Sequence, residues 1–200
     1  MDNIFIFILI GMLAYLLGSV PVGFLVAKSR GMDIQQAGSG SIGATNISRN
    51  LGWKLGVGVG VLDFFKSFLP VLLVKQWYSQ NWQVFIVAIL VVLGHIFPVW
   101  LNFKGGKGVA TIFGILAAFF GSPIFLLFLF LWLLIVKLVG VMSLVNLGVG
   151  LLLPLAFWIK FQALPEALMG LVMGMIIWYA HRENIKRLLD GTENRLGPPK

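Results

Sequence analysis

Few side chains in this 200-residue chain could do chemistry, and most stand in three polar stretches. His181 and Asn184 lie three positions apart. If one helix carries both they share a face, the imidazole serving as a base or hydroxyl-orienting group and the amide working beside it. Arg49 follows a run of small residues, Gly38-Ser-Gly-Ser-Ile-Gly-Ala-Thr-Asn46. There the backbone of Gly40 and Gly43, the hydroxyls of Ser39, Ser41 and Thr45, and the Asn46 amide could wrap a phosphate as a nest of donors. A flexible Gly/Ser linker is the other reading. Lys104 and Lys107 bracket Gly105-Gly106 just ahead of an apolar run. Cationic heads and backbone N–H groups would then meet at a helix N-terminus, which favours an anion, although a basic turn without a ligand fits as well. Ser143 is a candidate for binding a polar acceptor, or else a helix N-cap before Leu144.

Other chemistries are poorly supplied. The chain has no cysteine, which removes thiol catalysis, disulfide scaffolds and Cys-based zinc sites, and two histidines with seven carboxylates offer little for a metal. No cofactor is expected. Gly106-Lys107 is not a nucleotide-binding P-loop, since Leu101 stands where the first glycine is needed and Gly108 where Ser or Thr is needed. No histidine is followed at the fifth position by Asp: those positions hold Trp100 and Lys186. A histidine base would therefore work without a carboxylate at that spacing.

The elements that must position these groups are membrane helices. With 59% hydrophobic and 11% charged residues and a mean hydropathy of +0.97, a soluble fold of this length is excluded. Apolar runs cover residues 4–27, 53–74, 82–101, 109–121, 124–141, 143–159 and 163–180. The expected fold is all-α and polytopic, one integral membrane domain over residues 1–200 with seven transmembrane helices. The fourth run is short, so it is either tilted or partly re-entrant behind protein, and a six-span arrangement is the alternative. Nothing at Met1-Asp2-Asn3 resembles the basic start of a cleavable signal peptide.

Alternating seven spans gathers Lys28, Arg30, Arg49, Lys54, Lys104, Lys107, Lys137, Arg182, Lys186, Arg187, Arg195 and Lys200 on one side, and leaves Lys75 and Lys160 on the other. The positive-inside rule then puts the N-terminus outside and the C-terminus in the cytoplasm. The net charge of +8 serves orientation and contact with anionic lipid, with no need of nucleic acid. Trp53, Trp77, Trp82, Trp100 and Trp158 sit near span ends as interfacial anchors. Inside the second span Asp63 and Lys66, three apart, are expected to form a structural pair, because each alone would cost about 3 kcal/mol at the bilayer centre, with a substrate or proton path as the other reading. His95 reads as a structural, hydrogen-bonding histidine.

Taken together, Gly18-Ser-Val-Pro21, the Gly38–Asn46 run, Leu62-Asp63 with Lys66, Gly94-His-Ile-Phe-Pro98, Phe103-Lys-Gly-Gly-Lys-Gly-Val-Ala-Thr111 and His181-Arg-Glu-Asn-Ile-Lys-Arg-Leu-Leu resemble the bacterial PlsY family of glycerol-3-phosphate acyltransferases. The resemblance runs from residue 18 to about 196. Ser41 stands where that family often carries Asn and Ser67 where it often carries Gly. It implies an enzyme of the bacterial cytoplasmic (inner) membrane with its active site on the cytoplasmic side. That enzyme transfers a fatty acyl group from acyl phosphate to glycerol 3-phosphate, yielding lysophosphatidate and inorganic phosphate, the first acylation of phospholipid synthesis. On this view both substrates carry phosphate for Arg49, Lys104 and Lys107, and the proton of the acceptor hydroxyl goes either to His181 or to a phosphate oxygen. Membrane lipid is the surrounding partner, and no protein partner is implied. A small transporter or flippase is the competing class, but the polar groups collect on one side rather than at the midplane, and no paired half-repeats are evident.

Overall fold

The computed structural model describes residues 4–196, and among them all regular structure is helical. Lys200, counted above among the basic residues of one side, lies outside the described residues. The chain forms two compact units, one up to Phe119 and one from Phe120 on.

The first unit begins with α1 (Ile4–Ser19) and α2 (Val22–Lys28), separated at Val20-Pro21 because proline disfavours helical geometry in the residue before it and has no N–H to give. The Val20 carbonyl accepts a hydrogen bond from Lys66 Nζ at 3.0 Å. After α3 (Ala44–Leu51) come α4 (Trp53–Trp77), α5 (Asn81–Ile96) and α6 (Val109–Phe120). Helices α1 and α5 cross at small residues: a Cβ on Gly18 would collide with the Val91 backbone, and one on Gly94 with the Tyr15 carbonyl. Such close approach is how apolar helices gain packing energy when lipid gives no hydrophobic drive. The Tyr15 hydroxyl donates to the Phe97 carbonyl at 2.7 Å across the same pair.

Helix α6 is 12 residues long, about 18 Å at about 1.5 Å per residue, against about 30 Å of hydrocarbon. Every residue from Thr111 to Phe119 is buried, so this short apolar run is walled by protein instead of lipid. It presses on α4, where a Cβ on Gly114 would strike the Phe64 carbonyl and Ser67 Oγ. The Ser67 hydroxyl lies 2.7 Å from the Thr111 carbonyl. At its far end Lys75 Nζ donates to the Ala118 carbonyl at 3.1 Å and lies over the Phe119 ring.

The second unit holds α7 (Ser122–Val139), α8 (Met142–Phe161), α9 (Leu164–Ala180) and α10 (Arg182–Leu189). Gly121 and Gly140, with φ of 78° and 72°, supply the left-handed turns that bound α7. Along α7 Val136 alone is buried, so this helix offers its Leu, Ile and Phe side chains to the surroundings. In contrast α8 and α9 pack tightly, because a Cβ on Gly174 would meet the Gly150 carbonyl and one on Gly170 the Leu153 carbonyl. Two indoles tie the unit together: Trp132 Nε1 donates to Asn146 Oδ1 at 3.0 Å and Trp178 Nε1 to the Leu147 carbonyl at 3.1 Å.

Seven apolar helical segments thus stand where the seven runs fall. Among the described residues five are long and apolar enough to cross a membrane: Ile4–Lys28, Trp53–Trp77, Asn81–Leu101, Ser122–Val139 and Met142–Phe161. A sixth qualifies if Leu164–Ala180 and Arg182–Leu189, bent by 61°, count as one span, while Val109–Phe120 stays below the length. Trp53, Trp77, Trp82, Trp100 and Trp158 are all exposed, as anchors at a membrane interface should be.

Candidate active site

In the first unit the Gly38–Asn46 run is folded, which rules out the flexible linker. Ile34, Ile42 and Ile47 are buried with Ala27 and Val59 in a core of their own. Asn46 staples the run: its Oδ1 accepts from the Ser39 N–H at 3.1 Å, and its Nδ2 donates to the Ala37 and Ser41 carbonyls, each at 2.9 Å. Asn46 is buried, so its part is to shape the run. Gly38 and Gly40 take left-handed backbone, and a Cβ on Gly38 would collide with the Asn46 amide. Thr45 and Asn46 lie within α3, a short amphipathic helix that the polar composition of residues 29–52 had concealed. Gly43 stands at its N-cap without a side-chain bond to the first turn. Ser41 Oγ accepts from the Gly43 N–H at 3.3 Å. Arg49, on the last turn of α3, is exposed.

The lysine loop lies against this run. Gln35 Nε2 donates to the Lys104 carbonyl at 3.3 Å, and Leu101 packs on the Ile34-Ile42-Ile47 cluster. The first two polar stretches, separate in sequence, are therefore neighbours. One premise needs correction: the Gly105 and Gly106 N–H groups are not available to an anion. They donate to the Ile96 and His95 carbonyls at 3.0 and 3.1 Å, closing the loop on the end of α5. The exposed Lys104 side chain and the half-buried Lys107 remain as the cations of this loop.

Below it lie the expected ion pair and an added partner. Lys66 Nζ is 2.9 Å from Asp63 Oδ1, and His95 Nδ1 is 3.6 Å from the same oxygen. A Cβ on Gly106 would run into the His95 ring.

In the second unit His181 and Asn184 do not ride one continuous helix. The chain bends between α9 and α10, with His181 at the corner. His181 is buried, and its Nδ1 lies 2.9 Å from the Ile177 carbonyl. A carbonyl only accepts, so Nδ1 carries the proton and Nε2 is the basic nitrogen of the neutral ring. Asn184, buried in the first turn of α10, donates from Nδ2 to Glu193 Oε1 at 2.7 Å. Ser143 Oγ donates to the same oxygen at 3.0 Å. Since α8 begins at Met142 with Val141 at its N-cap, Ser143 is not the cap of that helix.

Glu193, absent from the residues singled out in the sequence, is what gathers this group. Arg187 Nε completes it at 2.8 Å from Oε2. Burial by itself would raise the Glu193 carboxyl. The hydrogen bonds from Asn184, Arg187 and Ser143 and the Arg187 charge outweigh it and hold the group below the ordinary carboxylate range. The clue lay in Gly191: left-handed backbone after α10 turns the chain back, so that an acid two residues on returns to its own helix. The Leu196 N–H, donating to the Gly140 carbonyl at 2.7 Å, ties the returning segment down. Among the described residues no cluster of His, Cys, Asp or Glu could hold a metal ion.

Known proteins resemble this chain along nearly its whole length. The family model described as glycerol-3-phosphate acyltransferase matches residues 8–191. The chain belongs to the glycerol-3-phosphate acyltransferase family. The glycerol-3-phosphate acyltransferase of Aquifex aeolicus is 44% identical over 184 residues, 91% of this chain and 95% of that one. A glycerol-3-phosphate acyltransferase of Thermus thermophilus is 42% identical over 190 residues, 93% of each chain. The crystal structure of PlsY, an integral membrane glycerol 3-phosphate acyltransferase, in its glycerol 3-phosphate form is 40% identical over 96% of both chains, with a TM-score of 0.88. Its lysophosphatidic acid form gives 0.86 at the same identity, over 96% of this chain and 95% of that one. The family resemblance is thereby confirmed, and the chain is an integral membrane acyltransferase acting on glycerol 3-phosphate.

Proposed function

We propose that the whole chain works as one enzyme that takes its acyl group from acyl phosphate and releases lysophosphatidate and inorganic phosphate, at the cytoplasmic face of a bacterial inner membrane. The acceptor hydroxyl oxygen attacks the acyl carbonyl carbon, the bond from that carbon to the phosphate oxygen breaks, and phosphate leaves with its electron pair. The hydroxyl proton passes to His181 Nε2, the nitrogen left basic by the Nδ1 contact to Ile177. Asn184 and Ser143, aligned through Glu193, steady the acceptor. Arg49, Lys104 and Lys107 hold phosphate, Arg49 by its two-pronged guanidinium, and Ser39, Gly40, Ser41, Gly43 and Thr45 line its approach. Asn46, Gly105 and Gly106 keep the two loops in register for them. Since the mixed anhydride carries a good leaving group, positioning and charge neutralisation provide most of the acceleration. The observation that carries this reading is the nearly full-length match to PlsY, which has been seen with glycerol 3-phosphate and with lysophosphatidic acid. The absence of a nucleotide-binding motif supports a donor without coenzyme A.

For the membrane arrangement we propose seven crossing segments, N-terminus outside and C-terminus in the cytoplasm, with α6 as a short segment shielded by protein. Twelve basic residues against two support that orientation. The deciding experiment supplies purified protein with acyl phosphate and radiolabelled glycerol 3-phosphate, and in parallel with acyl-coenzyme A alone. Label should enter lysophosphatidate only with acyl phosphate, and efficient transfer from acyl-coenzyme A would refute the donor assignment.

A further inference from the structure

Three charged or chargeable groups lie buried in the first unit and have no part in the acyl transfer: Asp63, Lys66 and His95. With side-chain exposures of 3% and 6%, Asp63 and Lys66 are too dry to serve as a surface ion pair. Replacing such a pair with apolar residues is often neutral or stabilising, so stability alone does not explain keeping it. Its contacts do point somewhere. Lys66 spans from Asp63 to the Val20 carbonyl at the α1–α2 break, which fixes the carboxylate. The carboxylate faces His95 Nδ1, a ring nitrogen with no hydrogen-bond partner. The other edge of that ring, Nε2, lies where a side chain on Gly106 would have to go, and the His95 carbonyl accepts the Gly106 N–H. One buried line of contacts therefore runs from the helix break through Lys66, Asp63 and His95 to the loop that carries Lys104 and Lys107.

We infer that Asp63, Lys66 and His95 are positioning residues for glycerol 3-phosphate, setting the placement of the Lys104–Lys107 loop from beneath through the His95 ring. The inference rests on the reading that this loop's lysines hold the acceptor's phosphate. A shift of the His95 ring moves Gly106, and with it both flanking lysines, while leaving the acyl-transfer groups of the second unit as they are.

The test measures initial rates against glycerol 3-phosphate and against acyl phosphate for Asp63→Asn, His95→Gln and the double variant Asp63→Asn/Lys66→Met, each in lipid nanodiscs and checked for folding by thermal unfolding. Removing both charges together avoids stranding one of them, so the double variant keeps the question open to refutation if Asp63→Asn does not fold. The expected result is a glycerol 3-phosphate KM raised about tenfold or more with kcat nearly kept and the donor KM unchanged. Folded variants with the original acceptor KM would overturn the inference, as would a loss confined to kcat or a double variant that regains the original KM. Lys104→Ala in the same assay separates the two readings. If it raises the acceptor KM and the buried variants do not, the positioning role fails alone; if Lys104→Ala leaves that KM unchanged, the phosphate assignment fails as well.

Discussion

Replacing Glu193 with alanine tests how much of the second unit's arrangement hangs on one carboxylate. The substitution removes the acceptor of three hydrogen bonds, at 2.7 Å from Asn184, 3.0 Å from Ser143 and 2.8 Å from Arg187. Arg187 is partly exposed and can turn to water, but the buried Ser143 and Asn184 lose a partner where little water replaces it. Stranding a buried polar group costs about 1–3 kcal/mol. With the lost charge-assisted bond to Arg187 and without simple additivity, the whole comes to about 3–5 kcal/mol. Glu193→Gln keeps an oxygen for Ser143 and Asn184 but turns an amide donor toward Arg187, losing that charge-assisted hydrogen bond, so about 1.5–3 kcal/mol is expected, toward the lower end because Arg187 can turn to water. Hydrogen exchange along residues 182–196 and thermal unfolding in lipid nanodiscs should rank wild type above Gln and Gln well above Ala, with acyl-transfer activity falling in the same order. The pH dependence has a definite sign. A carboxyl whose folded pKa is lowered contributes stability that is fully present above its unfolded pKa and is lost as pH falls through the folded value. Wild type should therefore lose protection of this segment only in acid below the ordinary carboxylate range, and Glu193→Gln should lack that step. Equal protection and activity in Glu193→Ala and wild type would refute the reasoning, and so would a Gln variant as damaged as Ala.

Three further outcomes are expected. Arg49→Ala and Lys104→Ala should each lose about 1.5–3 kcal/mol of transition-state binding, tenfold to over a hundredfold in kcat/KM for glycerol 3-phosphate, which steady-state kinetics on folded protein would check. His181→Ala should lose about a hundredfold to ten-thousandfold in turnover, and the acidic limb of the rate profile should vanish with it; survival of that limb would move the proton to a substrate phosphate oxygen instead. Single cysteines placed at Ser39 or Thr192 in this cysteine-free chain should react with an impermeant maleimide in inverted vesicles, and one at Gln80 only in right-side-out cells.

What the sequence disclosed depended on how local the determining force was. Apolar runs, tryptophans at their ends and the Asp63–Lys66 spacing follow from the cost of polar groups in hydrocarbon, which acts residue by residue, and each has its counterpart in the structure. The third helix escaped notice because its eight residues carry few apolar groups, and only the burial of Ile47 among Ile34 and Ile42 makes it worth forming. The Gly105 and Gly106 amides looked open because their acceptors, on His95 and Ile96, are about ten residues back on another element. Likewise the three-residue spacing of His181 and Asn184 suggested a shared face, but the chain turns at His181, and it is Glu193, from beyond the helix, that aligns Asn184 with Ser143.

The walled sixth helix has a consequence for how the enzyme meets different bilayers. A helix in contact with lipid must tilt, stretch its surroundings or expose apolar surface when hydrocarbon thickness changes. Helix α6 is exempt: protein covers it from Thr111 to Phe119, and the ammonium of Lys75 takes the Ala118 carbonyl near its end. Its length is thus matched to its protein neighbours. The lysine loop leads directly into its first turn, where the Thr111 hydroxyl donates to the Gly108 carbonyl at 2.7 Å. That loop is accordingly continuous with a helix surrounded by protein, so a change in hydrocarbon thickness reaches it only through the helices packed around α6.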